Sequence, residues 1–179
     1  DVSPRPAGAR YALNLAIAFS SNLRPRPGLV GSTSSPFSIA GVASAGEVYD
    51  IDPAASEIFV QVGKAGLFKF AGHTHEVSAP ISQGRIDADT ADLSRSSVTL
   101  RFHAGALRVT GKGDPPADVP KVQEAMAGPK VLDAEHFAEI VFTSRQVTGR
   151  ATGASTYELQ VEGELTLHGV TKALTVSVR

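Results

Sequence analysis

The chain has 179 residues, of which 42% are hydrophobic, and this size and composition are typical of a single domain with a substantial core. Its formal net charge of -1 provides no general attraction to nucleic acid, which is therefore not a predicted partner. The absence of cysteine excludes disulfides, thiolate metal sites and thiol nucleophiles.

The first predicted element is a leader that comprises residues 1–46. It is rich in Pro, Ser, Gly and Ala, and its charged residues are four arginines and one aspartate. Its apolar run, Leu13–Phe19, is far shorter than the roughly 20 residues that a membrane-spanning helix needs. We therefore predict no integral membrane span.

The leader also resembles an export signal. A basic stretch around Arg24 is followed by the weakly apolar Gly28–Val42 and then by Ala43-Ser44-Ala45, an Ala-x-Ala sequence typical of signal-peptide cleavage sites. We predict that residues 1–46 are an export signal or a disordered leader and that residues 47–179 form the folded domain. An exported protein would be periplasmic or secreted.

Alternation of apolar and polar residues dominates the chain from Val48 onward. The alternating stretches are, in chain order, Ile58–Val62, Val98–Phe102, Tyr157–Leu167 and Leu174–Val178. A strand turns successive side chains to opposite faces, so this period of two indicates strands with one buried face. We predict about eight antiparallel strands and an all-β fold, either a closed barrel or a two-sheet sandwich.

Two histidines, His73 and His75, lie one residue apart in the stretch Phe70–Val77. In a strand both side chains would point to the same face, as two ligands of one metal ion do. A metal site needs a further ligand, and the other histidines offer three candidates, His103, His136 and His168. The pair is therefore either the centre of a metal site or a structural pair at the rim of a pocket.

One stretch, Asp118–Ala127, has helical spacing. Val119, Val122 and Met126 would share one face of a helix, and Gly128-Pro129 would end it. We predict one short helix here, within a long connection between strands.

Motifs for catalysis or cofactor binding do not emerge from the sequence. Gly111-Lys112-Gly113 lacks the Ser or Thr and the strand-helix context of a phosphate loop, and Asp87–Asp92 lacks the Gly and Glu of a calcium loop. A Gly-x-Ser-x-Gly sequence is also missing. We predict that the protein is not an enzyme and has no catalytic residues and no cofactor.

Several stretches, in the same order along the chain, resemble the YceI-like, polyisoprenoid-binding family. Tyr49–Ile58 is similar to the opening strand pair of that family, and Gly84–Asp87 with Ser96–Val98 is similar to its G-x-I-x-x-D…SSV hairpin. Pro129–Ser144 is similar to the family's loop that ends in I-x-F-x-S. Gly163–Lys172 closely matches its C-terminal signature, G-x-L-T-x-x-G-V-T-K.

The resemblance implies an eight-stranded antiparallel lipocalin-like barrel, with one short helix in a long loop, that encloses an isoprenoid tail in an apolar tunnel. It further implies non-enzymatic binding, transport or sequestration of an isoprenoid lipid, polyprenyl or quinone-like. Two histidines that are common in the family are replaced here by Ala55 and Gly63. We interpret His73 and His75 as partial replacements that donate hydrogen bonds to the headgroup of the lipid.

Residues on the apolar phases of separate strands would line the tunnel, and the loop that holds the helix would cap its open end. The predicted ligand-binding residues are Phe68, Phe70, His73, His75, Leu100, Phe102, Met126, Phe137, Ile140, Phe142, Leu165 and Leu167. The alternatives are a metal-binding protein or metalloenzyme centred on His73 and His75, and an interaction module whose barrel is filled by side chains. A homodimer is one of the assemblies that the sequence leaves open.

Overall fold

The structure is a computed structural model that describes residues 13–16, 23–25, 46–62, 75–154 and 156–179. Within these ranges the chain forms ten strands and one α-helix. In chain order they are β1 (Leu13–Ala16), β2 (Leu23–Pro25), β3 (Glu47–Ile51), β4 (Glu57–Val62), β5 (His75–Ala88), β6 (Ser97–His103), β7 (Arg108–Val109), α1 (Val119–Ala127), β8 (Glu139–Ala151), β9 (Tyr157–Leu167) and β10 (Val170–Val178).

The predicted all-β fold is confirmed. Eight of the described strands, β3 to β10, lie in the part of the chain where alternation is strongest, and their pairings are antiparallel. The predicted strand Tyr157–Leu167 coincides with β9. It forms because its apolar residues recur at every second position and therefore share one face of the sheet.

The strands form a sheet in which β4, β5, β6, β8, β9 and β10 are successive neighbours. The first half of β5 pairs with β4 and β7, and its second half pairs with β3 and β6. In the described part of the chain β10 pairs with β9 alone, so the sheet does not close on itself through hydrogen bonds. The barrel of the sequence prediction is therefore a sheet without a closed hydrogen-bonded ladder.

A β-bulge divides the long strand β5 between Ile81 and Gln83. Before the bulge the odd-numbered residues from His75 to Ile81 are buried, whereas after it Gly84 is buried and Gln83 and Arg85 are exposed. The extra residue, Ser82, donates a hydrogen bond from its Oγ to the carbonyl of Arg101 at 2.9 Å. A bulge of this kind changes which alternate positions face the interior.

The predicted helix is confirmed as α1, which begins after Asp118 and ends before Gly128. Pro120 lies in its first turn, where a missing N–H costs no helical hydrogen bond. The side chain of Gln123 fixes the helix to the edge of β7, since its Oε1 accepts from the N–H of Val109 at 2.8 Å and its Nε2 donates to the carbonyl of Leu107 at 3.0 Å.

The predicted leader is described only at the two short strands β1 and β2 and at Gly46, and its proposed cleavage sequence lies outside the described residues. The backbone of β1 pairs with β4, and that of β2 pairs with β3. A helix long and apolar enough to cross a bilayer is not found among the residues that the structure describes.

Candidate ligand-binding site

Five of the predicted ligand-binding residues lie together on three neighbouring strands. Leu100 on β6 is opposite Phe142 on β8, and Phe142 is opposite Leu165 on β9. Phe102 and Ile140 form a parallel row, two residues away along β6 and β8. Since residues two apart share a face, both rows lie on the same side of the sheet. Four of the five side chains are buried, and Leu165 is half-buried against the same core.

The apolar face continues across β5 onto β4. Phe102 is opposite Ile81, and in the half of β5 before the bulge Ala79 is opposite Ile58 and Val77 is opposite Val60. These side chains belong to one cluster of buried and half-buried apolar residues. The sheet therefore presents a continuous hydrocarbon surface from β4 to β9.

Three further predicted residues lie at the border of this surface. Met126, on α1, is buried in the core, and Leu167, at the end of β9, is half-buried against it. Phe137 stacks on the ring of His168, with ring centroids 4.7 Å apart. Phe137 thereby holds the loop before β8 against the β9–β10 turn, rather than lying in the two rows described above.

The β9–β10 turn explains part of the C-terminal signature. His168 and Gly169 both have positive φ angles, 51° and 68°, as a two-residue hairpin of type I′ requires. A Cβ atom at position 169 would lie 2.6 Å from Cε1 of Phe137, so glycine is the residue that fits. The Nδ1 atom of His168 is 2.7 Å from the carbonyl oxygen of Val131 and ties the same loop to the turn.

Three of the four remaining predicted residues, Phe68, Phe70 and His73, lie outside the described residues. Among the residues that are described, no cluster of three or more His, Asp or Glu side chains could hold a metal ion. The other residue on which the metal interpretation is centred, His73, has no described position, whereas His75 does.

His75 is the first residue of β5, and its side chain is only 2% exposed. It shares the face of Val77, Ala79 and Ile81, and it is opposite Val62 on β4. Its Nδ1 atom lies 2.8 Å from Oδ1 of Asp114, whose side chain is 1% exposed. A pair of titratable side chains is thus buried at one end of an apolar surface.

A tight loop brings Asp114 to His75. Gly111 and Gly113 have φ angles of 77° and 86°, a region that other residues rarely adopt, and the N–H of Asp114 donates to the carbonyl of Gly111 at 3.1 Å. The stretch Gly111-Lys112-Gly113, which lacks the features of a phosphate loop, is therefore a tight turn. Its role in carrying a buried carboxylate to β5 was not predicted.

Glu76, on the opposite face of β5, fixes the same loop from outside. Its carboxylate accepts hydrogen bonds from Lys112 at 3.1 Å, Thr110 at 3.1 Å and Gln61 at 2.7 Å. The hydrogen bond from Lys112 is the main cause that lowers the pKa of Glu76, and Thr110 and Gln61 act in the same direction. Two consecutive residues of one strand, His75 and Glu76, therefore contact the loop that follows β7 from opposite faces.

A family model described as YceI-like domain matches residues 49–179. A search of curated proteins gave no match. The matched region contains the apolar rows, helix α1 and the His75–Asp114 pair, and it leaves out β1 and β2.

Proposed function

Because the chain belongs to the YceI-like family, a family of polyisoprenoid-binding proteins, we propose that it binds an isoprenoid lipid and transports or sequesters it without catalysing a reaction. The observation that carries this proposal is the family match over residues 49–179, which spans the whole apolar face from β4 to β9. The ligand is a polyprenyl or quinone-like lipid.

The chemistry of an isoprenoid tail fits this apolar face. The tail has no hydrogen-bonding groups, so its binding free energy comes from apolar area removed from water, about 25 cal/mol per Å² before the ordering costs are subtracted. The rows formed by Leu100, Phe102, Ile140 and Phe142 belong to one apolar cluster and have no polar side chains between them. This apolar cluster supports binding of a tail through apolar contacts rather than through hydrogen bonds.

The direct test is native mass spectrometry of the purified protein, followed by lipid extraction and identification of what was bound. We expect a mass increment that disappears on extraction and an extract that contains a prenyl lipid. Protein that carries no lipid and that binds neither a prenyl alcohol, a prenyl quinone nor a prenyl phosphate would refute the proposal.

We also propose that the protein is exported and acts in the periplasm or outside the cell. The support is the basic and weakly apolar leader that ends in Ala43-Ser44-Ala45. Expression of the chain with its natural start, followed by N-terminal sequencing of the material recovered from the periplasm or medium, tests this. We expect the mature protein to begin at Gly46, and retention of residues 1–45 in the cytoplasm would contradict export.

A further inference from the structure

Among the residues that the structure describes, one buried oxygen atom at the site has no hydrogen-bond donor. Oδ2 of Asp114 is shielded from solvent and has no hydrogen-bond partner in the described part of the chain, whereas Oδ1 lies 2.8 Å from His75 Nδ1. A buried acceptor without a donor destabilises the folded protein, and the effect is larger when the acceptor is charged. Native proteins rarely leave such an atom unsatisfied, so Oδ2 is a position where a donor from outside the chain is expected.

The position of this atom relative to the apolar face suggests which donor it is. His75 and Ile81 lie on the same face of β5, six residues apart, which corresponds to about 20 Å along a strand. Ile81 leads through Phe102 to Ile140, in the rows proposed to hold the tail. A lipid whose tail lies along these rows and β5 would bring its polar headgroup to the His75–Asp114 end.

We infer that Asp114 Oδ2 accepts a hydrogen bond from a hydroxyl headgroup, so that the preferred ligand is a prenyl alcohol or a prenyl hydroquinone. This inference rests on the proposed function and narrows its ligand. The other carboxylate oxygen, Oδ1, lies 2.8 Å from His75 Nδ1, which leaves Oδ2 as the oxygen that a ligand would reach. A hydroxyl group is the smallest lipid headgroup that supplies the missing donor.

Two other headgroups of isoprenoid lipids fit the same position less well. The carbonyl oxygens of an oxidised quinone are acceptors and would face another acceptor at Oδ2. A phosphate is an anion, and anion sites are built from cations or clustered N–H groups. Lys112, the lysine of this loop, is already paired with Glu76 at 3.1 Å.

The test compares four ligands that carry the same geranylgeranyl tail. They are the alcohol, the phosphate, and a benzoquinone in its oxidised form and, under argon, in its reduced hydroquinone form. We expect the wild-type protein to bind the two hydroxyl ligands about tenfold more tightly than the oxidised quinone and the phosphate, which corresponds to one satisfied buried acceptor. Equal binding of all four, or tighter binding of the phosphate or the oxidised quinone, would overturn the inference.

Substitution of Asp114 provides a second measurement. In Asp114→Asn, the carboxamide replaces one acceptor oxygen by a donor, so the preference for the hydroquinone over the quinone should fall by at least about fivefold. Asp118→Asn is the matched control, since Asp118 is exposed in the same segment and its side chain does not cap α1. An unchanged preference in a folded Asp114→Asn protein would overturn the inference, and if this variant does not fold, the wild-type comparison decides.

The two proposals fail in different ways. If the wild-type protein binds none of the four ligands, isoprenoid binding itself is refuted, and the hydroxyl preference falls with it. If it binds all four with equal affinity, isoprenoid binding stands and only the hydroxyl preference is refuted.

Discussion

At the scale of single residues, Gly163 shows how closely the site is packed. A Cβ atom at this position would lie 2.7 Å from Cζ of Phe142 and 2.5 Å from the carbonyl oxygen of Thr143. We expect Gly163→Ala to lower the free energy of unfolding by about 1–3 kcal/mol, because the ring and backbone must move. Urea denaturation measures this change.

Gly105 is the control for this substitution. It lies in the short 3₁₀ turn Ala104–Ala106, and a Cβ atom there would have nothing within 4 Å. We expect Gly105→Ala to change stability by less than about 1 kcal/mol. Equal losses in the two variants would show that close contact with Phe142 is not the reason for glycine at position 163.

The hydrogen bonds that Glu76 accepts predict that the free energy of unfolding falls at acid pH. The pKa of this carboxyl is below its ordinary value of 4.5 in the folded protein, chiefly because Lys112 donates to it. As the pH falls below about 4.5, the unfolded chain takes up this proton first, so the stabilisation present at neutral pH is lost as the pH passes through the lower folded pKa. Unfolding free energies measured from pH 7 to pH 3 should show this loss.

Glu76→Gln should flatten the acid part of that profile, since the substituted side chain cannot titrate. It should also be less stable than the wild type at pH 7, where the charged hydrogen bond to Lys112 is lost. Glu124→Gln, on the exposed side of α1, serves as the comparison. If Glu76→Gln and the wild type lose stability in parallel below pH 4.5, another carboxyl group is responsible.

The residues of the candidate site were only partly predictable. Leu100, Phe102, Ile140 and Phe142 could be identified because alternation alone marks the inward side of a strand. Asp114 could not, because its burial depends on a loop that folds back to a strand 39 positions earlier in the chain. Gly111 and Gly113, just before Asp114, indicate a sharp turn, but a turn signal does not reveal which residues the turn contacts.

At the scale of elements, a side chain of α1 links this helix to β7 by hydrogen bonds. Gln123 pairs with the N–H of Val109 and the carbonyl of Leu107 in place of a neighbouring strand. We expect Gln123→Ala to cost about 1–3 kcal/mol, because it leaves a backbone donor and acceptor without partners. In hydrogen-exchange experiments the amide of Val109 should exchange faster, while amides of β8 and β9 keep their protection.

Gln160→Ala is the control for this prediction. Gln160 bonds to Ser177 on the exposed side of the sheet, where water replaces a lost partner at little cost. Unchanged exchange at Val109 in Gln123→Ala would show that packing of Met126, rather than the paired amide, fixes the helix.

The elements differ in how far sequence could reveal them. β9 and α1 each follow a single period along their whole length, so their limits were predicted closely. β7 has two residues and is too short to show a period. The whole of β5 could not be recognised as one strand because its alternation changes phase at the bulge, and Pro80 and Gly84 are typical of strand interruptions.

At the scale of the molecule, a ligand that binds the folded state but not the unfolded state must stabilise the protein by mass action. With geranylgeraniol at about 100 times its dissociation constant, the free energy of unfolding should rise by about 2.7 kcal/mol. Urea denaturation at increasing ligand concentration measures this. Geraniol, which has a shorter tail, should need a much higher concentration, because it removes less apolar area from water. Identical curves for the two alcohols would contradict binding through the tail.

The fold class of the molecule could be predicted from the sequence, but whether its sheet closes into a barrel could not. The recurrence of alternating stretches and the signature Gly163–Lys172 led to an all-β fold and to its family. Whether the first and last strands pair depends on their relative positions in space, which alternation does not encode. In the described residues the edge of β3 opposite β5 pairs with β2, and β10 stays paired on one side.

The bulge at Ser82 has a consequence for the mutations that the gene can tolerate. Loss of this single codon would restore one uninterrupted alternation along β5, and one half of the strand would have to rotate by one position relative to the other. If the half paired with β3 and β6 stayed in place, Glu76 would turn inward and His75 outward. A substitution of Ser82 keeps the number of residues in β5, so every side chain keeps its face of the sheet. At this position natural variation must therefore preserve the length of the strand more than the identity of the residue.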